Sequence, residues 1–201
     1  MALHVDYFFS LNSPWTHFGA ARLDAMVADN GATVRPYPVD FATIFAASGG
    51  LPLPKRSPQR QAYRAMEMRR WREHLGIPVY IQPRHAPMNE SLPASCVIAA
   101  RETVDDISAT RLAHRVLHAL WEDELDPADE ATLHVLIADV GLDPEALPAL
   151  ARDPRWIEQR VADSAMALAR GVFGAPSYVM GDEIFWGQDR LDFLERRLAR
   201  G

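Results

Sequence analysis

The segment Ser13-Pro14-Trp15-Thr16 separates an apolar run, residues 5–9, from an amphipathic run, residues 18–26. Its proline suits the first turn of a helix, where the fixed φ is favourable and the missing N–H is not needed. Ser13 is therefore predicted at a helix N-terminus, where backbone N–H groups and the helix dipole stabilise an anion. The same serine could instead serve only as the N-cap of that helix.

A second informative segment is residues 171–177, Gly-Val-Phe-Gly-Ala-Pro-Ser, which leads into an apolar strand. A proline directly before a strand is awkward because it has no N–H to donate to the ladder. A cis peptide bond between Ala175 and Pro176 fits this tight entry and is our prediction, since cis X-Pro bonds in folded proteins are usually deliberate. The alternative is an ordinary trans proline in a loop.

A third segment, Gly187-Gln188-Asp189-Arg190, is predicted to open the last helix. The free N–H groups of such a turn would bind a small carboxylate, and Asp189 could pair with an ammonium group. The α-carboxylate and α-ammonium of an amino acid would satisfy both. The alternative is that Gln188 and Asp189 only cap the helix.

The pattern along the chain indicates which elements position these segments. A buried strand is predicted at residues 3–9, a helix that ends at Gly31, and a second strand at residues 32–39. The C-terminal end is predicted as a hairpin, residues 177–180 and 183–186 around a Gly-Asp turn, followed by a helix over 188–200.

Between these ends, helical periodicity dominates. Ser91 and Asp129 are predicted N-caps of two of these helices. The predicted helices are residues 41–48, 59–75, 92–104, 107–121, 131–140 and 154–170, with a Pro/Gly-rich loop at residues 49–58.

The order of elements predicts an α/β protein, namely a thioredoxin-like domain, β-α-β … α-β-β-α, interrupted by a mostly α-helical insertion. We assign residues 1–40 and 155–201 to the thioredoxin-like domain, which is discontinuous, and residues 41–154 to the helical insertion.

Composition excludes several classes of function. The net charge of −6 argues against nucleic acid or an anionic membrane as a partner. No apolar run approaches the length of a membrane span, and residues 1–6 lack the features of a signal peptide. A single cysteine, Cys96, permits no internal disulfide, which fits a reducing compartment. We therefore expect a soluble cytoplasmic protein, and the spacing of its side chains predicts no metal site.

The three segments together resemble the family of 2-hydroxychromene-2-carboxylate isomerases and kappa-class glutathione transferases, which is related in fold to bacterial periplasmic disulfide oxidoreductases. The resemblance covers nearly the whole chain. Thioredoxin-type proteins place a Cys-x-x-Cys motif where this chain has Ser13-Pro14-Trp15-Thr16. Because no cysteine is present there, a thiolate at this site would have to come from a bound molecule.

The resemblance implies that this molecule is glutathione. Ser13 would donate a hydrogen bond to the glutathione sulfur and favour its thiolate. The residue before the cis-proline, Ala175 before Pro176, would pair through its backbone with the cysteinyl unit. Gln188 and Asp189 would hold the γ-glutamyl end.

The chain departs from the family in the loop after the second strand, which lacks the family's asparagine. Lys55, Arg56 or Arg60 could supply the positive charge for the glycyl carboxylate, and Lys55 and Arg60 are our assignments. Asn89 lies in a loop that resembles a wall of the family's substrate pocket, with a simple turn residue as the alternative. Trp15 is assigned to the same pocket. We also expect a homodimer.

Three functions follow from these residues. The first is a glutathione-dependent cis-trans isomerase of aromatic carboxylates such as 2-hydroxychromene-2-carboxylate, which needs no net redox change and therefore no cysteine pair. The second is a kappa-like glutathione transferase or peroxidase acting on small electrophiles. The third is a redox-inactive thioredoxin-fold protein that binds peptides or a partner.

Overall fold

A computed structural model describes residues 3–200. The remaining positions, Met1, Ala2 and Gly201, are the outermost residues of the predicted domain bounds and lie outside the described residues. The predicted α/β fold is confirmed: the described residues form one four-stranded mixed sheet and nine α-helices.

The N-terminal β-α-β unit consists of β1 (His4–Phe9), α1 (Pro14–Asp29) and β2 (Thr33–Pro38). Ser13 caps α1, and the chain turns after Asn30 through Gly31, which has a positive φ of 59°. The two strands are parallel, with Val5 opposite Val34. A parallel pair needs a crossover element, which α1 provides.

The C-terminal hairpin consists of β3 (Ser177–Met180) and β4 (Glu183–Trp186), with the bounds that the sequence predicts. β3 lies antiparallel to β1, so that the sheet order is β2-β1-β3-β4. The prediction of a last helix beginning at Gln188 is wrong. The chain forms a 3₁₀ turn over Gln188–Arg190, closed by Arg190 N–H donating to the Gly187 carbonyl, and α9 (Leu191–Leu198) follows.

Seven helices connect β2 to β3, and six of them match the predicted helices to within about one residue at each end. Their bounds are α2 (Phe41–Ser48), α3 (Pro58–Leu75), α4 (Ser91–Thr103), α5 (Asp106–Trp121), α6 (Glu130–Asp139), α7 (Ala146–Ala151) and α8 (Arg155–Ala169).

Two details of this region differ from the sequence prediction. The short helix α7 was not predicted, because a six-residue segment that contains Pro148 shows too little periodicity. Ser91 is not an N-cap: Glu90 occupies that position, and the Asn89 Oδ1 atom accepts from the Ser91 N–H. Asp129 is confirmed as the cap of α6, since its side chain accepts from the Thr132 N–H.

Both faces of the sheet are covered. The larger core joins side chains of β1, such as Tyr7 and Phe9, to those of α1, α4, α5, α6 and α9. The second core lies on the other face, where Phe8 and Tyr37 pack with residues of α2 and α8. The larger core includes residues from both predicted domains. The division into domains at residues 40 and 155 stays a prediction.

A buried ion pair links three elements around this second core. The Arg101 guanidinium on α4 donates to Asp163 Oδ2 on α8 at 2.8 Å and to the Pro36 carbonyl at 3.0 Å. It also lies over the Tyr37 ring. Neither charged side chain of the pair reaches solvent appreciably, so each depends on the other for compensation.

Within residues 3–200, no helix combines the length and the apolar composition that a membrane crossing requires. The same residues contain no group of three or more His, Cys, Asp or Glu side chains placed to hold a metal ion.

Candidate functional site

Ser13 lies at the N-terminus of α1, as predicted, and is partly exposed. Its Oγ atom accepts a hydrogen bond from the Thr16 N–H at 3.2 Å, which is an N-cap interaction. The cap uses the hydroxyl as an acceptor, and no described residue accepts from its O–H. A serine hydroxyl can accept and donate at once, so capping leaves the proton of Ser13 available to an anion.

A free backbone donor lies beside this hydroxyl. In the first turn of α1, Pro14 has no N–H, Thr16 donates to Ser13 Oγ, and His17 donates to the Ser13 carbonyl. Among the described residues, the Trp15 N–H has no hydrogen-bond acceptor. The helix therefore presents a hydroxyl and an amide to the same partly exposed space, in the field of its positive end.

The predicted cis peptide bond between Ala175 and Pro176 is confirmed. The register pairs Phe8 with Ser177, so this bond lies near the end of β1, from which the chain runs to Ser13. The Pro176 carbonyl accepts from the Gly187 N–H at 2.8 Å. In contrast, the N–H and carbonyl of Ala175 have no backbone partner within residues 3–200, which leaves them available to an extended peptide.

The segment that holds Asn89 is fixed against the loop before Ser13. Asn12 donates to the Met88 carbonyl and accepts from the Met88 N–H, in the manner of a backbone pair. Glu90 accepts from the Asn12 amide and is ion-paired with Arg160 of α8. Asn89, between these two anchored residues, is exposed close to the Ser13 turn.

Gln188 and Asp189 are differently placed. Gln188 is only 2% exposed, and its Oε1 atom and carbonyl accept from Arg22 of α1. Asp189 is exposed and forms an ion pair with its neighbour Arg190 at 3.0 Å. Of the two side chains, Asp189 is the one that a ligand can reach, and the predicted role of both stays a prediction.

A cleft of about 350 Å³ opens beside Trp15, between the start of α1 and α3. Arg60, one of the two predicted cations, lines this cleft. Lys55, the other, is exposed in a 3₁₀ turn, Leu53–Lys55, and is not part of the lining. The lining residues are Trp15, Arg56, Gln59, Arg60, Tyr63, Arg64 and Glu67.

Two further titratable groups, one on α1 and one on α4, are buried. His17, 6% exposed, shares a 2.7 Å hydrogen bond between its Nε2 atom and Glu122. Burial lowers the pKa of His17, and the Glu122 carboxylate opposes that shift only in part. Burial also raises the pKa of the Cys96 thiol to about 12, so this cysteine is an inert core residue.

Sequence reasoning missed the residues that fix this site, namely Asn12, Glu90 and Arg160, and it did not single out Arg64. The first three fix the site through contacts between positions 70 or more residues apart, and a local sequence pattern cannot predict such contacts. Arg64 is one of several arginines on α3 and has no distinctive spacing.

The fold and the helix-capping serine beside a cis-proline define a class of protein. The chain matches the family DSBA, described as the DSBA-like thioredoxin domain, over residues 4–199. The protein therefore belongs to the family of DSBA-like thioredoxin domains.

Within this class, the resemblance to 2-hydroxychromene-2-carboxylate isomerases is confirmed. The chain is 29% identical to the protein of that name from Sphingobium xenophagum, over 98% of this chain and 99% of the relative. It is 27% identical to the one from Pseudomonas putida, over 98% and 94%. It is also similar to a solved structure of a 2-hydroxychromene-2-carboxylate isomerase, with a TM-score of 0.84, 26% identity and coverage of 98% and 95%.

Proposed function

We propose that this protein is an isomerase that acts on aromatic carboxylates like 2-hydroxychromene-2-carboxylate, with glutathione as its cofactor. Similarity to isomerases of that name over the full length of both chains supports the reaction class. The observation that carries the cofactor proposal is the Ser13 turn, which has an anion-stabilising hydroxyl and a free amide but no cysteine.

The residues present fit glutathione. An ionised thiol needs hydrogen-bond donors and a positive local field, and Ser13 Oγ–H and Trp15 N–H at the start of α1 supply both. A tripeptide needs backbone partners, and the N–H and carbonyl of Ala175 have no backbone partner within residues 3–200, at the end of the sheet where β1 leads to Ser13. The carboxylates of glutathione need cations or helix N–H groups, for which Arg60 and Lys55 are the candidates.

In this proposal each residue has a defined task. Bound glutathione would supply a thiol nucleophile that adds to a conjugated double bond of the substrate and leaves after rotation about the bond. The Ser13 Oγ–H group would donate a hydrogen bond to the sulfur and favour its thiolate, and the Trp15 N–H would donate a second hydrogen bond. The backbone of Ala175 would pair with the cysteinyl unit, and the Asp189 carboxylate would pair with the γ-glutamyl ammonium group.

The cleft beside Trp15 favours an anionic aromatic substrate over the neutral electrophiles of the transferase hypothesis. Three of its seven lining side chains are arginines, and two are the aromatic rings of Trp15 and Tyr63. Asn89, exposed between the two residues anchored to Asn12, is the candidate for a second polar contact with the substrate.

The test is the isomerisation of 2-hydroxychromene-2-carboxylate, followed by ultraviolet absorbance with purified protein, with and without glutathione. We expect conversion above the uncatalysed rate only when glutathione is present. S-methylglutathione is the matched control, because it keeps every binding group except the thiol, and we expect it to give no conversion. Equal conversion with and without glutathione would contradict the cofactor proposal, and no conversion under any condition would contradict the isomerase.

A further inference from the structure

The cleft beside Trp15 contains an arginine whose charge has no partner in the protein. Arg64 of α3 is partly buried, and its guanidinium makes no hydrogen bond or ion pair with any described residue. Burial lowers the pKa of the Arg64 guanidinium, and the like charge of Arg56 adds to this shift. Removing an uncompensated charge from water is costly, so an arginine in this position calls for an anion from outside the chain.

The surroundings of Arg64 add to the positive charge. Arg56 uses its Nε to donate to the Leu51 carbonyl and has no acidic partner. Arg60 is exposed at the rim, also without an ion pair among residues 3–200. The one carboxylate of the lining, Glu67, is ion-paired with Arg70, which lies outside the lining. The three arginines of the cleft thus outnumber its one carboxylate, and none of the three is ion-paired within residues 3–200.

The position of the cleft and its lining residues indicate which class of anion it binds. Trp15 is two residues from Ser13, so the cleft adjoins the turn where the thiolate is proposed. Trp15 and Tyr63 contribute aromatic surface, and a planar ring favours such surface. A guanidinium presents a planar fork of donors that matches a carboxylate. A ligand with an aromatic ring and a carboxylate satisfies both features within about 350 Å³.

We propose that Arg64 is the specificity-determining residue of the substrate site, where its guanidinium binds the substrate carboxylate while Trp15 and Tyr63 contact the aromatic ring. This inference rests on the proposed function for the identity of the reaction. Arg64 is not among the residues assigned to glutathione, so its binding of a carboxylate can be tested without turnover.

The experiment compares two fluorinated probes, 4-fluorocinnamate and its neutral counterpart 4-fluorocinnamamide, by ¹⁹F NMR titration of the wild-type protein without glutathione. We expect the wild type to bind the carboxylate about 10- to 100-fold more tightly than the amide, as a charge-assisted hydrogen bond predicts. Arg64→Gln should abolish this preference and leave amide binding unchanged. Arg64→Lys should restore part of it, because the charge returns without the planar fork.

Arg69→Gln is the matched control, since Arg69 lies on the same helix, is exposed and does not line the cleft. It removes the same charge and should leave both affinities unchanged. Equal binding of the carboxylate by the wild type and Arg64→Gln would overturn the inference, as would equal losses in Arg64→Gln and Arg69→Gln, or no carboxylate binding by the wild type.

Turnover separates this inference from the proposed function. If the protein isomerises the chromene, Arg64→Gln should raise KM for the chromene by about 10-fold or more and leave the concentration of glutathione at half-maximal rate unchanged. A change only in the glutathione dependence would assign Arg64 to the cofactor and contradict the inference. Failure of the isomerase assay alone would leave the probe titration intact.

Discussion

Replacing Ser13 with glycine is expected to lower the isomerisation rate at neutral pH by about 10- to 100-fold, with little loss of stability. A hydrogen bond to a charged group contributes about 1.5–3 kcal/mol, and one pKa unit corresponds to about 1.36 kcal/mol. Loss of the hydroxyl should therefore raise the pKa of the bound thiol by about one to two units. The rate should recover in part at mildly alkaline pH, where the thiol ionises without help.

Glycine is chosen because the structure shows Ser13 in two roles. Its Oγ atom caps α1 through the Thr16 N–H, so a change in rate could arise from a loosened helix. Glycine is tolerated at an N-cap at a cost of only a few tenths of a kcal/mol, whereas alanine costs about 1 kcal/mol. Ser13→Gly therefore removes the donor while it keeps most of the cap.

Asp129→Ala is the matched control for the loss of a cap. Asp129 caps α6 through the Thr132 N–H, and α6 contributes no residue to the Ser13 turn. This variant should lose about 1 kcal/mol of stability and keep the wild-type rate and pH profile. If Ser13→Gly also keeps the wild-type rate and pH profile, Ser13 is only a cap and the proposed mechanism is wrong.

The largest expected effect on stability comes from Arg101. Arg101→Met should lower the free energy of unfolding by about 3–5 kcal/mol, because Asp163 then remains buried without its counter-charge. The double variant Arg101→Met/Asp163→Leu should recover most of this loss, since replacing both partners with apolar side chains leaves no buried charge. Urea denaturation at neutral pH measures the free energy of unfolding of the wild type, the single variant and the double variant.

Arg35→Met is the control for a more exposed arginine. Arg35 pairs with Glu102 and Asp106 while about 30% of its side chain stays in solvent. Its removal should cost about 1 kcal/mol or less. If Arg101→Met costs no more than Arg35→Met, burial does not control the strength of the Arg101–Asp163 pair, and this part of the account fails.

Most of the fold follows from local sequence signals. The hairpin around Gly181-Asp182 has the predicted bounds because turn chemistry and alternation both act within a few residues. The start of α1 follows in the same way from Ser13 and Pro14. The beginning of α9 does not follow from local signals. The residues before it form a 3₁₀ turn, Gln188–Arg190, in which Gln188 accepts hydrogen bonds from Arg22, far away in the sequence.

In the candidate site, too, the features that depend on local sequence could be predicted, and those that depend on distant contacts could not. Ser13 and the cis peptide at Pro176 are recognisable because each produces a distinctive local pattern. The cis peptide between Ala86 and Pro87 was not predicted, because no adjacent strand made that proline unusual. The contacts of Asn12 with Met88 and Glu90 arise only when distant segments meet. The unpaired charge of Arg64 is recognised only from the surroundings of its side chain in the fold.

The most direct test of the central claim, that Ser13 and the start of α1 hold glutathione as a thiolate, is the pKa of the bound thiol. The thiolate can be titrated by its ultraviolet absorbance in the wild-type complex. Cys96 does not interfere, because burial raises its pKa to about 12. The account predicts a pKa well below the ordinary value of about 8.5, and a rise toward that value in Ser13→Gly. An unshifted pKa in the wild-type complex, or no binding of glutathione, would contradict it.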